Sequence, residues 1–213
     1  SLLPRAPSAR WKANVNSPPA RQNACHRTDS RVQPDVTLQP LNQGLAPALF
    51  ALTDCNRRFL REWLPWLDQV RTVDDTRHFV ESAESMAASN SAPTFAIIHA
   101  GDLCGVTGFH SINKPHGTGS IGYWLGQDHT GQGIATTAVR QFITIGFTEC
   151  DLNRIEIRCA VNNRQSRALP ERLGFIHEGT LRQSERLYGR FLDQALYSLL
   201  ASDSHASTSG SGK

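Results

Sequence analysis

The chain has 213 residues, 39% of them hydrophobic and 19% charged, enough for one domain that buries roughly 70% of its unfolded surface without disulfide or metal staples. Fibrous, collagenous and wholly disordered classes are excluded, and no apolar run approaches the roughly 18 residues of a membrane-spanning helix. The net charge of +3 is uneven: Arg5, Arg10, Lys12, Arg21, Arg27 and Arg31 stand against Asp29 alone near the start, so a nucleic-acid reading rests on that segment and finds no support in the slightly acidic remainder.

Residues 1–33 scatter Pro and Ser around one aromatic, Trp11, with no apolar periodicity, and are expected to be a disordered basic tail. They lack the apolar stretch of a secretory signal; their Arg and Ser with little acid suit a transit peptide or an upstream extension. Leu45–Leu64 places Leu45, Leu49, Phe50, Leu52, Phe59, Leu60, Trp63 and Leu64 mostly three and four residues apart, the pattern of a helix. Thr72 with Asp75 resembles a capping box before a second helix over about 73–89, with Phe79, Val80, Ala83, Met86 and Ala87 as its inner stripe.

The period then changes to two. Phe95–His99 and Leu103–His110 flank Ala100-Gly101-Asp102 as an antiparallel hairpin, Ser120–Leu125 makes a third strand, and Arg154–Val161 a fourth in which Ile155, Ile157, Cys159 and Val161 alternate with Glu156 and Arg158. Strands over Phe175–Thr180 and Gln194–Leu200, with helices at about 133–149 and 164–173, complete an α/β or α+β domain on a mixed sheet, spanning 34–201. Ser202–Lys213 is Ser/Gly-rich and is expected to be a flexible end. Cys25, Cys55, Cys104, Cys150 and Cys159 are odd in number and form no C-x-x-C pair, which argues against a disulfide framework or a zinc site and for a reduced, cytoplasmic setting.

The strand Ile121-Gly122-Tyr123-Trp124-Leu125 is followed by Thr130-Gly131-Gln132-Gly133-Ile134-Ala135-Thr136, which opens a helix. Strand, glycine turn, helix is a phosphate-binding order, because glycines permit close approach and the first helical turn presents unpaired N–H donors at the positive end of its dipole. It is neither a Walker loop, lacking Lys-Ser/Thr, nor a dinucleotide fingerprint, lacking a glycine at Thr136; a lone G-x-G at a helix start is also often only a turn.

With Asn163-Arg164-Gln165-Ser166 and Leu173-Gly174-Phe175-Ile176-His177-Glu178-Gly179, this stretch resembles the GCN5-related N-acetyltransferase (GNAT) superfamily, and within it the RimJ/RimL branch of ribosomal-protein N-terminal acetyltransferases. The resemblance covers nearly all of 36–201 and implies a mostly antiparallel sheet flanked by helices in a single domain. It also implies an acetyl-CoA site: pantetheine against a splayed strand at Trp124, Leu125 and Gly126, pyrophosphate on the amides of Gly131, Gln132, Gly133, Ile134, Ala135 and Thr136, and Asn163 near the thioester. Thr130 departs from the Gln or Arg that usually opens the loop motif.

Acetyl transfer needs a base for the amine and an acid for the departing thiolate. The Tyr that many members place seven residues after the Asn is Pro170 here, which donates nothing and removes a helical hydrogen bond. The resemblance instead offers Ser166 as acid and Glu185 as base. Each has a bland alternative: a local backbone hydrogen bond for Ser166, and a solvated ion pair with Arg182 and Arg186 for Glu185. Trp63 and Trp66 read as core or as an acceptor groove, His110, His116 and His129 as solvated loop residues or isolated bases, and Cys104 and Cys159 as small buried hydrophobes.

The expected activity is acetyl-CoA-dependent N-acetyl transfer, direct and without metal, to a protein or peptide N-terminal α-amine, by a cytoplasmic monomer or homodimer. A small amine such as an amino acid, polyamine or antibiotic is the alternative acceptor. A non-catalytic acyl-CoA-binding module and a nucleic-acid-associated protein acting through the basic tail are the alternatives of other classes.

Overall fold

The computed structural model describes residues 34–206 except residue 90; the expected basic tail and the chain beyond 206 lie outside the described residues. Seven strands form one sheet: β1 (Val36–Pro40), β2 (Thr94–His99), β3 (Asp102–Asn113), β4 (Thr118–Leu125), β5 (Arg154–Ala160), β6 (Ile176–Leu187) and β7 (Arg190–Leu200), in the order β1-β2-β3-β4-β5-β7-β6. Every neighbouring pair is antiparallel except β4 and β5, which run parallel.

Helices cover both faces. On one lie α1 (Ala46–Cys55) and α3 (Val73–Ala88), where Ala46, Leu49, Val80 and Ala83 pack on Ala96, Val106 and Trp124. On the other lie α4 (Ile134–Thr148) and α5 (Arg164–Arg172): Val139, Phe142 and Leu169 pack there with Phe95, Phe109, Ile121, Ile155, Ile157 and Tyr197. Strand alternation makes this division, since Ile121 of β4 points to α4 while Trp124 points to α1 and α3.

The capping box at α3 forms as read: Thr72 Oγ1 accepts from Asp75 N, and the Asp75 carboxylate accepts from Thr72 N. The single helix expected over Leu45–Leu64 does not form. A short 3-10 turn leads into α1, Asn56 breaks the run at φ −109°, ψ 11°, and only α2 (Arg57–Leu60) follows. Asn56 is held out of the helix by its own side chain, which donates to Leu52 O at 2.8 Å and accepts from Gln127 N at 2.8 Å. The expected strand at Phe175–Thr180 is longer, with two register shifts against β7. The expected flexible end begins instead as α6 (Ala201–Ala206), its turn fixed by Leu200 N donating to Asp203.

The parallel β4/β5 ladder covers four residue pairs only, Thr118↔Arg154 to Ile121↔Ile157. Beyond it β4 keeps its pairing with β3 as far as Leu125↔Gly105, and β5 keeps its pairing with β7 as far as Ala160↔Gln194. Gly122–Leu125 and Arg158–Ala160 therefore part. Gly105 makes room for the departing strand: a Cβ there would stand 2.0 Å from the Trp124 carbonyl oxygen and 2.9 Å from Leu125 Cα. Because the obstruction is backbone, Gly105→Ala should cost about 1–3 kcal/mol of stability. Urea unfolding with an unchanged midpoint would show that β4 does not need that space.

Candidate active site

The break opens toward the start of α4. Gly131 and Gly133 take φ +75° and +80°, in the left-handed region that glycine adopts without cost, and Gly133 is the N-cap of α4. Among the described residues no side chain caps that helix, in contrast to α3, so its first amides offer N–H groups at the positive end of the helix dipole. Gly131, Gln132 and Gly133 are exposed, and a Cβ at Gly131 would meet nothing within 4 Å. An anion can reach these amides.

Side chains of the loop are engaged elsewhere. Thr130 Oγ1 donates to Gln127 O at 2.8 Å, which closes the preceding turn, and Gln132 Nε2 donates to Asp128 O at 2.6 Å. Ile134 is fully buried, and Thr136 Oγ1 accepts from Arg172 Nη1 at 2.8 Å, a latch between α5 and α4. What the loop offers an anion is thus its backbone amides, and the departure at Thr130 leaves those amides open.

The second helix at the break is α5. Asn163 caps it, its side chain accepting from Ser166 N at 3.0 Å, which fixes the turn that carries Ser166. The helix runs through Pro170, whose missing N–H would have bonded the Ser166 carbonyl. Tyr123 of β4 fills that place, its hydroxyl donating to Ser166 O at 3.0 Å and standing 3.3 Å from Ser166 Oγ. Burial pushes the Tyr123 phenol well above its ordinary pKa, only partly offset by Ser166, so it stays neutral. Cys159, expected to be a plain buried hydrophobe, is indeed buried, and its thiol lies beside Ser166. Burial pushes it up to about 11 against the hydrogen bond from Ser166, so it stays a neutral thiol.

On the opposite face stands Glu185. Ala195, Tyr197 and Leu199 of β7 point into the core toward α5, so Gln194 points the other way, and its Nε2 donates to Glu185 at 2.9 Å while its Oε1 accepts from Ser184 Oγ at 3.2 Å. The alternative of an ion pair with Arg182 or Arg186 is not what forms; Arg186 lies over the Phe191 ring at 6.0 Å. The motif carboxylate Glu178 is engaged structurally, forked onto Arg154 at 2.7 and 2.5 Å with Ser198 Oγ donating at 2.7 Å, and the Arg154 guanidinium first, then Ser198, holds it down to about 2.

His110 is not a loop residue. It sits in β3 at the register shift between Phe109 and Ser111, with its ring over Gly122, where a Cβ would come within 2.1 Å of Nε2. Partial desolvation by its neighbours pushes its pKa below the ordinary imidazole value, and the Glu185 charge pulls it partway back. Glu185 is thus within electrostatic reach of His110, and Trp124 lies on the same face of β4 as Gly122, its ring 6.0 Å from that of Trp66. Sequence reasoning missed Tyr123 and Gln194 as members of the site. For Tyr123 the signal was present: a proline in α5 demands a donor for the carbonyl four residues earlier.

The sequence profile described as "Acetyltransferase (GNAT) domain" matches residues 35–176. The chain belongs to the GNAT family. It is 33% identical over 167 residues to the ribosomal-protein-serine acetyltransferase of Escherichia coli (strain K12), covering 78% of this chain and 93% of that one. It is 29% identical over 162 residues to the spermidine N(1)-acetyltransferase of Vibrio cholerae, covering 74% and 88%. Among solved structures it is similar to RimL, the ribosomal L7/L12 alpha-N-protein acetyltransferase, in complex with coenzyme A, with TM-score 0.76, 28% identity and coverage of 79% and 95%. It is also similar to the microcin C7 self-immunity acetyltransferase MccE in complex with acetyl-CoA and AMP, with TM-score 0.74, 30% identity and coverage of 78% and 92%.

The GNAT chain is accordingly an acetyl-CoA-dependent N-acetyltransferase on a mixed, mostly antiparallel sheet. Among the described residues no group of three or more His, Cys, Asp or Glu side chains is placed to hold a metal, and no helix is long and apolar enough to cross a membrane. Gly133→Val, which adds bulk at the amides and strains a φ of +80°, should weaken acetyl-CoA binding at least about tenfold, 1.4 kcal/mol, by calorimetry. Unchanged affinity in the folded variant would remove the backbone cradle from the account.

Proposed function

We propose that the acceptor is a protein or peptide N-terminal α-amine, acetylated by direct transfer with Ser166 as acid and Glu185 as base. The observation that carries this reading is the placement of the two groups on opposite faces of one break: Ser166 hangs from α5 beside Tyr123, and Glu185 stands on the side of Trp124 and His110. Acetyl-CoA supplies the thioester. Its phosphates fit the amides of Gly131 to Thr136 and its pantetheine the parted edge of Trp124 and Leu125, with Asn163 beside the thioester end. The amine then approaches from the Glu185 side, loses its proton there, and attacks the carbonyl carbon as the carbon–sulfur bond breaks toward the Ser166 hydroxyl.

Two features favour a peptide over a polyamine. The similar proteins include an enzyme named for ribosomal-protein serine and the structure of RimL. A polycation, as the spermidine enzyme's substrate is, needs available carboxylates, and on this face Glu156 and Glu178 are already bound to Arg154 and Arg158. A cytoplasmic home accords with this acceptor.

The experiment is a panel of N-terminal peptides beside polyamines, amino acids and aminoglycosides, scored by thiol release. Peptides should be turned over, and exclusive turnover of polyamines or aminoglycosides would contradict the reading. Ser166→Ala should lower kcat by roughly 10²–10⁴ with little change in acetyl-CoA affinity. Glu185→Gln should cost most at low pH, where the amine is protonated and needs a base, and the loss should shrink as pH rises. A loss independent of pH would make Glu185 a positioning group instead.

A further inference from the structure

Pro170 leaves one carbonyl of α5 without its helical donor, and that carbonyl belongs to Ser166. A single phenol answers it. Tyr123 comes from β4, two residues beyond the last β4/β5 pair, where the strand has parted from its neighbour and its side chain crosses the opening to reach α5. Its hydroxyl donates to Ser166 O at 3.0 Å and lies 3.3 Å from Ser166 Oγ. The serine's N–H is thus held by Asn163 and its carbonyl by Tyr123, and its hydroxyl lies within reach of the same phenol and of the Cys159 thiol.

We propose that Tyr123 is the positioning residue of the acid, holding the Ser166 hydroxyl at the break through the carbonyl that Pro170 leaves open. Proton donation depends on that hydroxyl being within about 3 Å of the sulfur at the moment the carbon–sulfur bond breaks, and a first turn free to shift loses that alignment. Where the family's tyrosine would stand in the helix and act itself, this chain has a proline in the helix and a tyrosine on the strand, and the tyrosine acts through the serine. The phenol gives up no proton in the cycle: its hydrogen bond orients Ser166, whose proton goes to the departing thiolate.

This inference rests on Ser166 as the acid, and a set of variants separates the two claims. Tyr123→Phe keeps the ring and removes only the hydroxyl; it should lower kcat about tenfold, the worth of one lost hydrogen bond, with the KM for acetyl-CoA unchanged within about twofold. Adding Pro170→Ala to that variant restores a helical N–H donor to Ser166 O and should recover most of the lost kcat. Recovery is the outcome that a general loss of packing does not give, since Pro170→Ala removes buried atoms. A kcat unchanged in Tyr123→Phe, while Ser166→Ala is impaired, overturns the positioning role alone. A loss in Tyr123→Phe that Pro170→Ala leaves in place overturns it as well, because the phenol would then act by another route. If Ser166→Ala itself keeps wild-type kcat, the acid reading falls and the inference falls with it.

Discussion

The site depends on one constraint: two parallel strands in an otherwise antiparallel sheet stay paired for only four residues. Each is tied to its antiparallel partner on the outer side, β4 to β3 and β5 to β7, so neither can close the gap without breaking its own ladder. Each is followed by a helix on the same face of the sheet, and parallel strands end at the same edge. The N-termini of α4 and α5 are thereby brought to either side of the gap. Gly133 and Asn163, the two N-cap residues, are far apart in sequence and become neighbours of one opening because of this topology.

The charges of the site follow from the same geometry. Groups on the helix side are buried and neutral: the Tyr123 phenol and the Cys159 thiol are both pushed up by desolvation, and neither is an anion that would compete with phosphates for the α4 amides. The carboxylates of β5 and β6 stand on the other face, and two of those three, Glu156 and Glu178, are neutralised by Arg154 and Arg158. Glu185 alone is held by a neutral partner, Gln194. Glu185 is thereby left without a matching guanidinium, as the proposed role of base requires.

Much of this was legible in the sequence, and the failures have identifiable physics. The capping box, the hairpin at Gly101 and the glycine turn before α4 are local devices, so their residues announce them. The break at Asn56 was not legible, because the bond that holds Asn56 out of the helix reaches Gln127, 71 residues away. β1 was missed since five residues beside a polar segment carry too few apolar positions, Val36 and Leu38, to show a period. Glu185 reads from the sequence as a neighbour of Arg182 and Arg186, whereas its partner comes from the facing strand. His110 reads as the end of its strand, a solvated loop residue or an isolated base, whereas the strand continues past it through a register shift that disturbs the alternation.

The central claim is that the parted β4 edge and the α4 amides together receive acetyl-CoA. Amide chemical shifts recorded while coenzyme A is added test it residue by residue. The account predicts large shifts at Gly131, Gly133, Ala135, Tyr123 and Leu125, with Leu38 of the edge strand and Val80 of α3 unmoved. Shifts confined to α1 and α3, with the Gly131–Ala135 amides unmoved at saturation, would contradict it.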